Sequence, residues 1–275
     1  MRINHNRFAV VGVIEAILLI ALFAIILSTI QLVYIPEVMK NREAEHMDKV
    51  ADQFSQLKLS IDLHTVTRTN FSISVPITLG SRELPYFITA RALGDISIKD
   101  DEIEISIKTA TSYTNLSLGI IEYDARNAYF VDQSYILECG AVILEQDEGL
   151  ESMLVPPTLS VTTSGTTVSI DFLVINITGY ANRTTESGLG VTFVRTNFSS
   201  ISTQQFSNIE SLTIYTSHTN SWFNFLNYTF DSSTANITLL SNGIRVEPKA
   251  GYTMNLDMDV AKIYAQVGLG WIGNL

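Results

Sequence analysis

The sequence predicts a mainly β protein carried on one long N-terminal α-helix. A single transmembrane helix continues into an amphipathic stalk, which leads to an antiparallel β-sandwich-like outer domain. Three observations predict this. Residues 16–27 read AILLIALFAIIL without a break. Residues 37–63 contain neither Gly nor Pro and carry an apolar stripe at helical spacing. Beyond residue 64 the apolar residues alternate with period two. The expected divisions are a basic leader at 1–15, a membrane helix at 16–36, a stalk at 37–63 and an extracellular β domain at 64–275.

The membrane helix rests on length. Apolar character runs from Ala16 to Ile35, interrupted only by Ser28, Thr29 and Gln31. About 20 residues rising 1.5 Å each span a hydrocarbon layer about 30 Å thick. Arg2 and Arg7 precede it, with no acidic residue before Glu15. That bias keeps the N-terminus cytoplasmic and sends the bulk outside. The rival reading is a cleaved secretory signal, whose apolar core spans about 7–15 residues and ends in a small-x-small site. This run is longer, and Ser28-Thr29-Ile30-Gln31 fits such a site poorly. A lipid anchor needs a Cys just after the run, and the only Cys is Cys139.

The stalk begins at Pro36, which should kink or restart the helix. Met47, Val50, Phe54, Leu57 and Ile61 are spaced 3, 4, 3 and 4. This is an a/d stripe with charges on the other faces, including Glu45 and Lys49 at i,i+4. Two readings stand side by side: the stripe packs on the chain's own β domain, or on identical helices of neighbouring copies.

In the outer domain the alternating runs are Phe71–Leu79, Ile103–Ile107, Val168–Val174, Met254–Val260 and Ile263–Leu269. Strict alternation marks strands with one buried face. Turn signals fall at Lys99-Asp100-Asp101-Glu102, Thr163-Ser164-Gly165, Ser241-Asn242-Gly243 and Pro248-Lys249-Ala250-Gly251. No βαβ repeat appears, so antiparallel sheets are expected. Val155-Pro156-Pro157-Thr158 is the best internal seam, and Pro76 suits an edge strand.

Composition excludes several functions. The 275 residues carry 17 Lys and Arg against 28 Asp and Glu, a net charge of −11. Nucleic-acid binding through phosphate contacts is therefore not expected. A single Cys excludes an internal disulfide framework and any Cys-rich zinc site. Mean hydropathy is +0.22, much of it owed to the membrane segment. Catalytic signatures are missing too: no HxH, HExxH, CxxC, GxSxG or phosphate-binding Gly loop occurs. No enzyme activity, metal or cofactor is expected. Asp100-Asp101-Glu102 with Glu104, and Asp147-Glu148 with Glu151, read as solvated turns, with calcium as the alternative. Cys139 reads as a small buried apolar residue, and Trp222 with Phe223 and Phe225 as core rather than a sugar platform.

Seven Asn-X-Ser/Thr sequons, at Asn70, Asn115, Asn176, Asn182, Asn197, Asn227 and Asn236, all lie beyond residue 69. They suit an extracellular glycoprotein, the alternative being an unmodified Ser/Thr-rich β domain. Asn182, in a turn-like stretch, is the most accessible candidate, and strand pairing restricts Asn176.

Glu15 needs its own account. A carboxylate at the mouth of a membrane helix either reaches water at the interface or meets a partner cation. The run Arg7-Phe8-Ala9-Val10-Val11-Gly12-Val13-Ile14-Glu15, followed by an apolar helix, resembles the class III signal of type IV pilins. With the segments Tyr135–Glu145 and Ser221–Asn227 and the region of Gly80, the chain is similar to archaeal pilin-like surface proteins over most of its length. The resemblance implies a short leader removed ahead of the helix, with Glu15 the fifth mature residue after a cut behind Val10, or the sixth after a cut behind Ala9. It implies that Glu15 pairs with the free amine of a neighbouring subunit as filaments assemble, and that no catalytic residues are known. The expected partners are membrane lipid and further copies or other pilin-like subunits. A single-pass anchored adhesion domain that never polymerises is the alternative.

Overall fold

The computed structural model describes residues 5–81, 92–146 and 149–268, with side chains from Val11 onward. The chain opens with helix α1 (His5–Thr29), passes through a π-helical turn at Ile30–Tyr34, and continues as α2 (Ile35–Thr67). The π turn has a local cause. Pro36 has no N–H to donate and its ring crowds the carbonyl four residues back, so the helix widens there instead of breaking. The Ile35 N–H accordingly donates to the carbonyl of Ile30, five residues away. The helix runs slightly beyond the expected stalk and stops at Arg68, which adopts a left-handed conformation (φ 51°) and donates its N–H to His64 O.

The described residues of the outer domain form two β layers. The first holds β1 (Ser72–Thr78), β10 (Val191–Phe206), β14 (Thr253–Val267), β8 (Thr167–Gly179) and β7 (Thr158–Ser164), paired in that order. The second runs β6 (Leu150–Val155), β5 (Ala141–Gln146), β4 (Gln133–Glu138), β3 (Tyr113–Arg126), β2 (Leu93–Thr109), β11 (Ile209–Tyr215), β13 (Gly243–Pro248) and β12 (Ala235–Leu240). The short β9 (Thr185–Gly188) adds to β2, and α3 (Thr219–Thr229) links β11 to β12. Pro76 lies on the edge strand β1, where its missing N–H breaks no ladder.

The layers touch at one backbone pairing, Gly119 of β3 with Ile177 of β8. A side chain at Gly119 would place its Cβ 2.3 Å from Ile177 O and 2.8 Å from Lys99 O. Only glycine permits that approach. Asn176 ties the same point: it accepts from the Gly119 N–H at 3.3 Å.

Two expectations are corrected here. The domain is not wholly antiparallel, because β14 and β8 pair in parallel from Thr253–Thr167 to Ala265–Gly179. Their connection passes through the rest of the fold, a contact of high sequence separation that local patterning does not encode. Lys99-Asp100-Asp101-Glu102 is not a turn but a bulge inside β2, opposite Gly119, with Asp101 at φ 58°. The extra residues leave the strand continuous and sharpen its twist. The three other turn signals fall between strands as expected.

The core is divided by strand parity. Val168, Ile170, Phe172 and Val174 of β8 enter one cluster, and Ile175 and Ile177 enter another. In β14, Met254, Leu256, Met258 and Val260 join the first, and Ala261, Ile263, Ala265 and Val267 the second. Successive strand residues point to opposite faces. Each long strand therefore buries one face in a distal core containing α3, and its other face, farther along, in a proximal core containing α2. The runs Met254–Val260 and Ile263–Leu269 are accordingly one strand that changes cores; Leu269 lies outside the described residues. Both cores draw on residues before and after Val155–Thr158, which joins β6 to β7. The hairpin β4–β5 sits between them, with Ile136 and Ile143 in the distal core and Tyr135, Leu137 and Val142 in the proximal one. Its turn, Cys139 (φ 49°) and Gly140 (φ 84°), has the paired positive φ values that suit a two-residue hairpin. Cys139 is fully buried.

Candidate functional site

The long helix presents two different surfaces. Every side chain from Val11 to Thr29 is exposed, and an 18-residue window reaches mean hydropathy 2.8 with none of it buried. Apolar residues on all faces of an exposed helix suit a lipid solvent. The helix is long and apolar enough to cross a membrane. Glu15 is exposed on α1. It lies about 30 Å from Pro36 at 1.5 Å per residue, so the two residues bracket one bilayer's hydrocarbon thickness. Arg2 lies outside the described residues.

α2 is built into the domain. Met47, Val50, Phe54, Leu57 and Ile61 are all buried in the proximal core, where α2 packs against β1, β4, β5 and β10. Of the two readings of this stripe, the structure gives packing on the chain's own domain; in this conformation the stripe offers no surface to a neighbour.

Polar residues along the same face fasten the helix. Glu43, fully buried, accepts backbone N–H groups from Ala128 (3.1 Å), Tyr129 (2.7 Å) and Phe130 (2.7 Å). Gln53 donates to Thr78 Oγ1 and accepts from the Thr78 N–H. Tyr135 donates its hydroxyl to Met47 O. His46 Nε2 lies 3.0 Å from the Tyr123 hydroxyl, which donates to Leu79 O. Burial, with the Lys49 charge behind it, pushes the His46 pKa down to about 4 against the opposing Leu79 carbonyl. His64 reaches Thr196 Oγ1 at 3.1 Å, and burial lowers its pKa as well. Both imidazoles are neutral near pH 7.

At the far end a second polar cluster locks α3. Glu138, 1% exposed, accepts from Trp222 Nε1 (2.5 Å) and Thr216 Oγ1 (3.1 Å), and pairs with His218 Nδ1 (2.9 Å). Glu145 Oε2 faces the other His218 nitrogen at 3.6 Å. Burial opposes charging of His218, but the Glu138 hydrogen bond and the charges of Glu138, Glu145 and Glu151 outweigh it and raise its pKa. Glu151 accepts the N–H groups of Asn220 and Ser221, capping the first turn of α3. Both His218 nitrogens thus face carboxylates, Nδ1 that of Glu138 and Nε2 that of Glu145.

Sequence reading missed Glu43, His46, Gln53 and Glu138. The available signal was their phase: Glu43, His46 and Gln53 share the helix face of Met47, Val50 and Phe54.

The acidic runs play structural parts. Asp100 accepts the Gly179 N–H at 3.0 Å, tying the β2 bulge to the end of β8. Glu151 is the α3 cap already described, and Asp147 and Glu148 lie outside the described residues. Among the described residues, no group of three acidic, His or Cys side chains could hold a metal ion.

The sequons divide by accessibility. Asn70, Asn115, Asn182, Asn227 and Asn236 are exposed. Asn182 occupies a left-handed turn (φ 53°) between β8 and β9. Asn176 is half-buried and engaged at the layer junction. Asn197 is 4% exposed in β10, flanked on both sides by β1 and β14.

Among the described residues, two concavities bear on the site. A groove of about 440 Å³ lies along β7, β8, β10 and β14 and is lined by Asp171, Asp257, Asp259, Thr203 and Gln205. A shallow pocket of about 10 Å³ lies over Tyr180, Arg195, Asn197, Tyr264 and Gln266. No known protein family, curated protein or solved structure matches the chain.

Proposed function

We propose that this protein is a pilin-like surface protein: α1 anchors it in the cell membrane as a single pass, the N-terminus stays inside, and the β domain stands outside as a structural unit that associates with further copies. The observation carrying this reading is the continuous helix from His5 to Thr67, bare and apolar from Val11 to Thr29 and sunk into a β domain in its second half. Glu15, at the inner edge of the span, is the group expected to neutralise a neighbour's amine once the leader is removed. The exposed sequons suit an extracellular, glycosylated surface. N-terminal sequencing of the native protein together with imaging of surface filaments tests it. Glu15→Ala is expected to abolish filaments while the isolated protein keeps its fold. An intact Met1, or normal filaments from the variant, refutes the pilin-type assembly.

One observation favours the second reading, an anchored binding domain that does not polymerise. The Met47–Ile61 stripe is consumed inside the molecule, so α2 offers a neighbour only its other faces, on which Leu59, Leu63 and Val66 are the exposed apolar residues. A soluble glycan or protein ligand captured by the full chain, with no filament in cells, would select that reading.

A further inference from the structure

The first layer carries unlike surfaces on its two faces. The pairing of β14 with β8 is uninterrupted from Thr253 to Ala265, so odd and even residues of β14 stay on opposite faces throughout. Asp257 and Asp259 are odd and line the groove. Lys262, Tyr264 and Gln266 are even and belong to the other face, nearer the proximal end.

Among the described residues, Asp171 and Asp259 in the groove accept only from the neutral hydroxyls of Ser160 and Thr203. In the groove, Asp257 and Asp171 are direct neighbours in register on adjacent strands. Strands lie about 4.8 Å apart, and like charges at that spacing repel. Among the described residues, no Lys or Arg lines the groove. On the opposite face, Lys262 stands over the Tyr264 ring at 5.2 Å, and Arg195 donates to Ser74 Oγ at 2.9 Å. Among the described residues, no carboxylate lines the pocket beside Arg195. Beneath it, Gln266 is 4% exposed, and neither its Oε1 nor its Nε2 has a partner; the Oδ1 of Asn197 likewise has none. Unsatisfied buried amides are costly, and these border the one shallow opening in the patch.

We propose that the Arg195–Lys262 patch of one copy docks on the Asp171–Asp257 groove of a second copy. The two surfaces complement each other in charge, and the patch has room for one polar group of the partner to reach its amides. They face opposite ways and are offset by roughly 15–25 Å at about 3.3 Å per strand residue. One partner cannot meet both, so the contact is heterologous and builds a chain or ring of more than two copies rather than a closed dimer. The inference rests on the self-association in the reading above and supplies the contact made outside the membrane.

The test uses the full chain in detergent micelles, with assembly followed by sedimentation at low and high salt and the fold checked by circular dichroism. Asp171 and Asp257 are exposed and Arg195 and Lys262 are half-buried, so only variants whose circular dichroism matches wild type are compared. Asp171→Lys with Asp257→Lys makes both surfaces basic; Arg195→Glu with Lys262→Glu makes both acidic. Each double variant alone is expected to associate about tenfold more weakly or worse. An equimolar mixture of the two restores the charge complementarity and is expected to restore assembly to near the wild-type level. High salt weakens the wild-type assembly. Variants that assemble like wild type refute this contact and leave association through α1 standing. A mixture of folded variants that fails to recover refutes it as well. A wild-type chain that stays monomeric at all salt concentrations overturns both this contact and the self-association reading.

Discussion

The proximal and distal cores share β3, β8, β14 and the β4–β5 hairpin, yet they are sealed by different electrostatic means. The proximal core closes on α2 with neutral polar pairs, His46 against Tyr123, Gln53 against Thr78 and His64 against Thr196, and with Glu43 held by the backbone N–H groups of Ala128, Tyr129 and Phe130. The distal core closes on α3 with a charge-assisted set, in which buried Glu138 holds His218, Trp222 and Thr216. The difference teaches that one sheet can support two closures whose stability responds to solution conditions in opposite directions, while shared strands still couple them.

The largest effect tests that coupling. Phe54 and Trp222 are fully buried, one in each core. Truncating either to Ala should cost about 3–5 kcal/mol. Because the long strands run through both cores, each variant should lower a single unfolding transition of the full chain in detergent, seen together by far-UV circular dichroism and tyrosine fluorescence. A two-step melt in either variant would show that the cores fold as separate domains.

A smaller effect separates the two closures by pH. His46 binds its proton more weakly when folded, with a pKa of about 4 against an ordinary 6.5. Its contribution is full above pH 6.5 and is lost as pH falls from there toward 4. The bound is about 3 kcal/mol, reduced by whatever solvent reaches the ring; His64 acts in the same direction. His218 is shifted upward, so its contribution is full below pH 6.5 and fades as pH rises through its folded value. Acidifying from pH 7.5 to 5 should therefore loosen α2 relative to α3. Hydrogen exchange corrected for intrinsic rates measures this directly. His46→Gln should flatten the α2 response, and Glu138→Gln should remove the α3 gain. Equal loss of protection in both helices would erase the distinction.

What could be read in advance follows the physics of each feature. Period-two runs and the Met47–Ile61 stripe are local patterns, and they gave the strands and the buried helix face. The partner of that stripe was open because spacing tells which face is buried and not what covers it. The Met254–Val267 strand looked like two, since a change of buried face at Val260 and Ala261 imitates a break. The bulge at Asp100–Glu102 has the composition of a turn, and only Gly119, 19 residues on, reveals why the chain does not reverse there. Nothing local marks Glu43 and Glu138 as buried, because their backbone and Trp partners lie more than 80 residues away.

The smallest energetic effect concerns which sequons can carry glycan, and it extends the comparison to the surfaces over each core. Asn182, in an exposed turn, and Asn227 and Asn236, beside the distal core, are open to modification in the folded chain. Asn197, over the proximal core, is held between β1 and β14, and a glycan on its amide would force those strands apart. Asn176 already spends its side chain on Gly119 and Ser117 across the layer junction. Site-by-site mass spectrometry of the native protein should therefore find occupancy at Asn182, Asn227 and Asn236 and little at Asn176 or Asn197. Removing an accessible site, as in Asn182→Gln, should shift stability by no more than about 0.5 kcal/mol. High occupancy at Asn197 would mean that modification precedes folding and that β10 can be parted from its neighbours, which would make the proximal closure far looser than its hydrogen bonds imply.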